Sequence, residues 1–521
     1  MSPLSAANEP PAAVAENPTW WLFRWEAQSH ISLLRLLLFN PNTKPSTQCR
    51  DLKLSLLPQQ SLLEVSFLES ESLLETLVWV PLPRVLVDPE SPVHFKVFDD
   101  HIEVKLVLLL PVDHPLVSDF DSILSLEGNP DSLDSDLKKL SCMEEVHFYC
   151  RNCSTKLTKG LRCFKEMPSV NWRDVADNWF GNCCCSFGGV SEKLVAEFAK
   201  SYTCRPGVCL LKTTSLLLCE NDILGCEFPD VHPRQNSRPE FSSPSINCLG
   251  SVSLDELQVR PDFCVNHSEG LSGRIEEKNM TNSENGTSKN CDIGISCHVQ
   301  MNEVNDELLE NQKVFRDGYL GDGFMVRSSG LSKDIRWIEF SCPQCSCLVG
   351  SYPCFDDNVP LDGGVRLFKC YISTCLPVNG SDDAFRSYTL ERMFASQLLE
   401  SAEDELSFRT IVRDMQTKSP VLRIVLLNPN TWVCAGSLGP EEPAAKSVMH
   451  PSIKVLFSAS GHDVEFDSGT LDDWVKKNQA DEIYMFSSQI LELIRVLELA
   501  KSLSPPSYTA LQGLFLSSLR R

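Results

Sequence analysis

Positive charge is short in this chain relative to negative. Its 521 residues carry 47 Lys and Arg against 70 Asp and Glu, a net charge of -23. Nucleic acids and anionic bilayers are held by clustered Lys and Arg, so this balance argues against a nucleic-acid partner and against a membrane surface. Partners with a basic patch remain open. Long apolar runs are missing too: Ile102 to Val112 is interrupted by Glu103, Lys105 and Pro111, well short of the roughly 20 residues a membrane-spanning helix needs. Met1 to Pro18 is small, Pro-rich and acidic, without the cationic stretch leading into an apolar one that marks a secretory signal. The expectation is a soluble protein of the cytoplasm, with the nucleus also open. In such a reducing compartment thiols stay free or bind metal rather than pairing as disulfides. Common catalytic motifs are absent as well. There is no G-x-x-x-x-G-K-[ST] phosphate loop, no H-E-x-x-H and no G-x-S-x-G.

What the chain has is cysteine, 23 in all. Two C-x-x-C pairs, Cys150-Arg151-Asn152-Cys153 and Cys342-Pro343-Gln344-Cys345, sit in similar frames. Each follows a strand-like run, Val146 to Tyr149 or Trp337 to Phe340, and each is followed by Ser, at Ser154 and Ser346. Two thiolates at a tight turn reach one tetrahedral zinc at about 2.3 Å, and four close a structural site. The competing reading is that some pairs arise by chance and pack as small buried hydrophobes. Two pairs in one frame favour metal. Their separation leaves two arrangements open: either the fold brings the pairs together, or each builds its own site with neighbours. Those neighbours are Cys163 and Cys183 to Cys185 for the first pair, and Cys347, Cys354, Cys370 and Cys375 for the second. His147, beside the first pair, reads as an ordinary partly exposed side chain.

In chain order, 1–18 is expected to be disordered and 19–140 to form a β-rich domain, with runs at Leu33 to Phe39, Leu62 to Phe67, Leu77 to Val80, Val93 to Val97 and Ile102 to Leu110. Asp119 to Asp136 reads as an exposed acidic loop. A first cysteine-rich module follows at 141–228, with a helix from Ser191 to about Tyr202 and a strand-like run from Val208 to Leu218. From 229 to 312 Ser, Asn, Glu, Asp and Gly dominate and no apolar period survives, the composition of a disordered insertion. Closing a flexible loop costs free energy only as the logarithm of its length, so both pairs can still belong to one folded unit. A second cysteine-rich module at 313–380 leads into an α+β segment at 381–521. There Asp383 to Glu403 and Asp481 to Ser502 read as helices, Arg409 to Val412, Val421 to Leu427 and Ile453 to Phe457 as strands, and Leu511 to Leu519 as a short terminal helix. Val421 to Leu427 with Asn428-Pro429-Asn430 echoes Leu33 to Phe39 with Asn40-Pro41-Asn42, a single short match better read as coincidence than as a repeat. The fold class expected is β-rich α+β, with strand-dominated terminal segments around zinc knuckles and a C-terminal helix.

One reaction stays open on the residues. Cys183-Cys184-Cys185, in a Gly-bordered loop between Trp179 and Phe187, would accept an acyl group if a nearby base or metal lowered a thiol pKa. The plainer reading gives one or two of these thiols to zinc and buries the rest.

The order of C-x-x-C (Cys150, Cys153), Pro-Ser-x-x-Trp (Pro168, Ser169, Trp172), a second Trp before a cysteine cluster (Trp179, Cys183 to Cys185), C-x-x-C with an apolar-Gly tail (Cys342, Cys345, Val349, Gly350) and Leu-Phe-Lys (Leu367, Phe368, Lys369) resembles the HECT-like family of ubiquitin-conjugating-enzyme-binding proteins. The resemblance implies a ubiquitin ligase that engages a ubiquitin-charged conjugating enzyme and promotes transfer of ubiquitin to protein substrates and to itself. Family members often carry Cys-His after the second Trp. Here Cys185 or a neighbouring Cys stands where that His would be, and thiolate can replace imidazole on zinc. The ligand set expected is therefore Cys150, Cys153, Cys184, Cys185, Cys342 and Cys345, in one or two structural zinc sites. The last cysteine is Cys434, whereas HECT ligases place a catalytic cysteine close to the C-terminus. A zinc module that orients the charged enzyme thus fits the residues at least as well as a covalent relay, and no residue is assigned a catalytic role. The alternative is a non-enzymatic, zinc-stabilised interaction scaffold.

Overall fold

Alternation of apolar and polar side chains sends every second residue of a strand to the same face, and several strands between residues 21 and 107 use it to build a sandwich. In the computed structural model, strands Trp21–Gln28, Leu33–Phe39, Ile102–Val107 and His94–Val97 lie side by side, all antiparallel. Cys49–Leu57, Leu62–Glu69 and Glu75–Pro81 form a separate three-stranded sheet. Trp25, Leu34, Leu36 and Leu38 of the first layer share one core with Leu63, Val65, Phe67 and Val80 of the second. The Trp25 indole is completely buried, and its Nε1–H donates to the Pro81 carbonyl at 2.9 Å, so its polar atom is satisfied between the layers.

The structure describes residues 21–69, 75–117, 133–167, 204–225, 228, 321–328, 331, 335–355, 359–438, 447–460, 474–475, 480–511 and 513–521. Several expectations lie outside them: the 1–18 terminus, the 229–312 insertion, the 191–202 helix, Pro168, Ser169, Trp172, Trp179 and the Cys183 to Cys185 triplet. The chain divides into one unit of Met1–Asp230 with Gly318–Arg521, and a second, Val231–Asp317, which is outside the described residues.

A 19-residue strand, Pro420–Leu438, joins the sandwich to the rest of the first unit. Its first part pairs with Arg409–Asp414 and its last eight residues with Trp21–Gln28. Along its other edge, against His450–Ala459, the register slips on both sides of Asn428. Such irregularities bend a strand without ending it, so Asn428-Pro429-Asn430 is crossed by a continuous strand, while Asn40-Pro41-Asn42 closes one in a turn. The two echoing segments do not occupy equivalent places.

The cysteine-rich part is a six-stranded sheet in the order Arg336–Ser341, Leu348–Cys354, Gly364–Phe368, Ser215–Cys219, Val208–Leu211, Cys163–Glu166. Its core continues through Phe385, Phe394, Ile424 and Phe457 to Leu493 and Leu497 of the last helix. Gly323 shows how closely it is packed. With φ of +67°, a Cβ there would lie 2.5 Å from the Trp337 ring, so only glycine fits.

Four expected elements need correction. Val208 to Leu218 is a hairpin of two strands rather than one run. The helix expected from Asp383 begins at Leu390, where the Thr389 side chain accepts from the Arg392 N–H. The helix expected over Asp481 to Ser502 starts at Ser487. Asp481–Met485 is instead a strand running parallel to Arg409–Asp414, with Ile483 and Met485 inward. Leu511 to Leu519 is not helical, because Leu514–Arg520 pairs with His450–Ala459. Over so few residues an apolar set satisfies either period, and the open sheet edge settles the matter. Among the described residues no helix is long and apolar enough to cross a membrane.

Candidate metal centre at the two knuckles

Each knuckle is built by the same backbone. Ser154 and Ser346 take φ of +62° and +57°, the left-handed conformation that reverses the chain after the second cysteine. Their N–H groups donate to the carbonyls of Cys150 and Cys342, both at 2.9 Å. The N–H groups of Cys150 and Cys342 in turn donate to the carbonyls of Thr155 and Cys347, both at 2.8 Å. These bonds turn both thiols of a pair toward the same side.

The fold then sets the pairs face to face. The Sγ atoms of Cys150, Cys153, Cys342 and Cys345 all lie within 4.8 Å of one another. Cys150 is 3.7 Å from Cys345 and Cys153 is 3.6 Å from Cys342, so each thiol of one knuckle meets one of the other. A tetrahedral zinc with bonds of about 2.3 Å would hold its sulfurs ~3.8 Å apart. The cluster therefore fits a four-thiolate ion, with all four positions supplied by protein. The side chain of Asn152 hydrogen-bonds Cys345 and, with the Cys347 backbone, holds its thiol down at about 6. Burial pushes Cys150 and Cys342 up. A bound cation would favour thiolate at all four.

Of the six thiols expected as ligands, the structure brings together these four, while Cys184 and Cys185 lie outside the described residues. Among the described residues, the other cysteines considered as neighbours are not in the cluster. Cys354 and Cys370 are buried, Cys163 and Cys375 half-buried and Cys347 exposed. His147 meets Lys156 at 3.2 Å and Glu145 at 3.4 Å. Cys434, the last cysteine, is buried in the long strand opposite Trp25, and burial raises its thiol.

Sequence reasoning missed two groups that hold the centre in place. Arg151, between the first two ligands, points inward. It donates to the carbonyls of Cys370 at 3.1 Å, Tyr388 at 2.6 Å and Phe385, and lies 3.7 Å from the Asp383 carboxylate. Asp136 was expected in an exposed loop. It is instead buried on the helix Leu133–Ser141, accepting from Lys369 Nζ at 2.8 Å and from the Tyr388 hydroxyl at 2.6 Å. Burial lowers the Lys369 pKa, and Asp136 opposes that. A buried Lys needs such a partner, which gives the Leu-Phe-Lys run its physical reason. One acidic residue among the several of an acidic, turn-rich stretch carried no signal of it.

Fold and centre together define a strand-rich protein in which two distant knuckles meet in a closed four-thiol cluster, the donor set of a structural metal site rather than a hydrolytic one. The chain belongs to the HECT-like ubiquitin-conjugating enzyme (E2)-binding family, whose model matches residues 118–516. That span takes in both knuckles and leaves the 21–117 sandwich strands outside it. The family ties the chain to the ubiquitin pathway through a conjugating enzyme. No curated protein and no solved structure matches the chain.

Proposed function

We propose that this protein is a ubiquitin ligase acting in the cytoplasm. It binds a ubiquitin-charged conjugating enzyme and promotes transfer of ubiquitin to lysines of protein substrates and of itself. The observation that carries this reading is the family match across 118–516, which contains the whole four-thiol cluster. In the transfer the substrate amine attacks the thioester carbonyl and the conjugating enzyme's thiolate leaves. This chain contributes orientation, since holding two reactants in an attack geometry lowers the barrier without a covalent step of its own. The burial of Cys434 supports orientation over a relay through that residue. Cys150, Cys153, Cys342 and Cys345 would hold zinc, which when bound supplies a cross-link between the knuckles and no open coordination position.

The test is single-turnover discharge of ubiquitin from a panel of charged conjugating enzymes onto free lysine. The protein is expected to accelerate discharge from at least one. If it binds a charged enzyme but accelerates none, the ligase reading gives way to a scaffold.

A further inference from the structure

We propose that the conjugating enzyme docks on the loop Cys375 to Asp382, whose exposed apolar tip Leu376-Pro377 is held out from the protein by the first knuckle. The proposal rests on the reading that the partner is a charged conjugating enzyme, and adds the surface it uses.

Leu376 is 53% exposed and Pro377 is exposed beside it. One exposed leucine means little on any protein surface. What distinguishes this one is how firmly the loop beneath it is tied. The Asp383 carboxylate accepts from the Thr374 N–H at 2.9 Å, the Thr374 hydroxyl at 3.0 Å and the Phe385 N–H at 3.1 Å, drawing the two ends of the loop together. Inside the loop, the Gly380 N–H donates to the Pro377 carbonyl at 3.1 Å and the Asp383 N–H to the Gly380 carbonyl at 3.2 Å. Ser373 Oγ donates to the Cys375 carbonyl at 3.0 Å.

The neck of the loop is in turn gripped by the knuckle. Cys150 pairs with Ile372 in a short antiparallel ladder, and the Arg151 N–H donates to the Tyr371 carbonyl at 3.0 Å. The Arg151 guanidinium spans from Cys370 on one side of the loop to Phe385 and Tyr388 on the other. Thiol ligands fix the Cys150–Cys153 turn, that turn fixes Arg151, and Arg151 fixes the loop's base. An apolar tip ordered before binding loses little conformational entropy when a partner covers it. A closed metal site with no chemistry of its own thereby gains a role in recognition.

The tip also indicates the partner's chemistry. Asp382 is exposed at its foot, on a chain of net charge -23. The complementary surface is a shallow apolar pocket with basic side chains on its rim. Other exposed apolar side chains lack one feature or another. Trp79 lies outside the family match, and Leu499 stands on the helix Ser487–Ser502 rather than on a loop tied down by the knuckle.

The experiment measures binding of the full chain to a panel of conjugating enzymes carrying ubiquitin through a stable isopeptide linkage, with metal content and unfolding midpoint recorded for each variant. Leu376→Asp is expected to weaken binding by at least about ten-fold, the loss of one central apolar anchor. Leu376→Ala should lose less, and Asp382→Lys about three-fold with a weaker dependence on salt. Metal content and midpoint should stay those of the wild type, and Leu499→Asp should bind normally. Wild-type affinity in both Leu376 variants would overturn the docking surface while leaving the partner intact. No binding of any charged enzyme by the wild type would overturn the partner itself, and the docking surface with it.

Discussion

The two knuckles share a backbone, their cysteines and the serine that follows, and differ in the residues between the ligands. Turn bonds agree to within 0.1 Å, and both serines after the second cysteine are left-handed. Between the ligands, however, the first carries Arg151 and Asn152, and the second Pro343 and Gln344. Arg151 reaches three carbonyls and a carboxylate, whereas Pro343 and Gln344 are exposed. Just beyond the turn, Cys153 Sγ lies 3.2 Å from the Thr155 hydroxyl, and the equivalent Cys347, though exposed, likewise has its thiol hydrogen-bonded to Cys345. The lesson is that ligand geometry constrains the turn and leaves the intervening side chains free. One knuckle spends them on wiring the centre into the fold.

The largest effect should be the one in which the knuckles are equal. Cys150→Ser and Cys342→Ser are each expected to lose the same metal, measured as zinc per chain, and with it much of the resistance to unfolding; apparent binding free energies at structural zinc sites are about 10–16 kcal/mol. If one variant keeps its metal, the single centre is broken into two. Next is the contrast between the middle residues. Arg151→Ala should cost about 3–5 kcal/mol in urea unfolding, because it takes the counter-charge from the buried Asp383 and the donor from three carbonyls, while Gln344→Ala should stay within about 0.5 kcal/mol. Equal costs would mean the second knuckle is wired in by contacts that its exposure hides.

A buried group away from both knuckles sharpens the comparison by showing whether wiring is special to the first. Glu26 lies where the sandwich meets the C-terminal strands, 2.8 Å from Arg24, 2.8 Å from Arg35 and 2.9 Å from Lys454. Burial would raise its carboxyl, but the three cations outweigh it and hold the pKa far below the usual range. A depressed folded pKa gives stability that is complete above the unfolded value of about 4.5 and is lost as pH falls through the folded one. Glu26→Gln should therefore cost about 2–3 kcal/mol at neutral pH, with the gap to wild type closing as pH falls below about 4.5. A gap independent of pH would show that packing, not charge, holds this junction. The smallest contrast lies just past the turns. Thr155→Val should cost about 1 kcal/mol and Cys347→Ser less, both read from the temperature of metal release.

Much of the fold was legible where residues act locally. Leu33–Phe39 lies where its apolar run placed it, and the sandwich strands at Leu62–Glu69, Glu75–Pro81 and Ile102–Val107 follow from period-two patterns. Both C-x-x-C turns were visible because two ligands of one turn are neighbours in the chain. Trp21–Gln28 was harder: seven consecutive buried or half-buried residues, including Arg24 and Glu26, hide its alternation. Those charges are buried only because Arg35, Lys454 and Ser518 come to them from elsewhere in the chain.

By itself, then, the sequence determined the class of the protein: strand-rich, acidic, carrying two matched thiol turns, with a family signature spread around them. Each of these depends on the identity and spacing of near neighbours, the range over which backbone sterics and side-chain period act. Only the tertiary structure decided that thiols 189 and 195 residues apart share one cluster, that Asp136 neutralises Lys369, and that Asp481–Met485 and Leu514–Arg520 are strands. The reason is common to all of them. A thiol cluster, a buried ion pair and a sheet edge are completed by a partner from a distant segment, and the nearby residues that local pattern reads do not encode where that partner comes from.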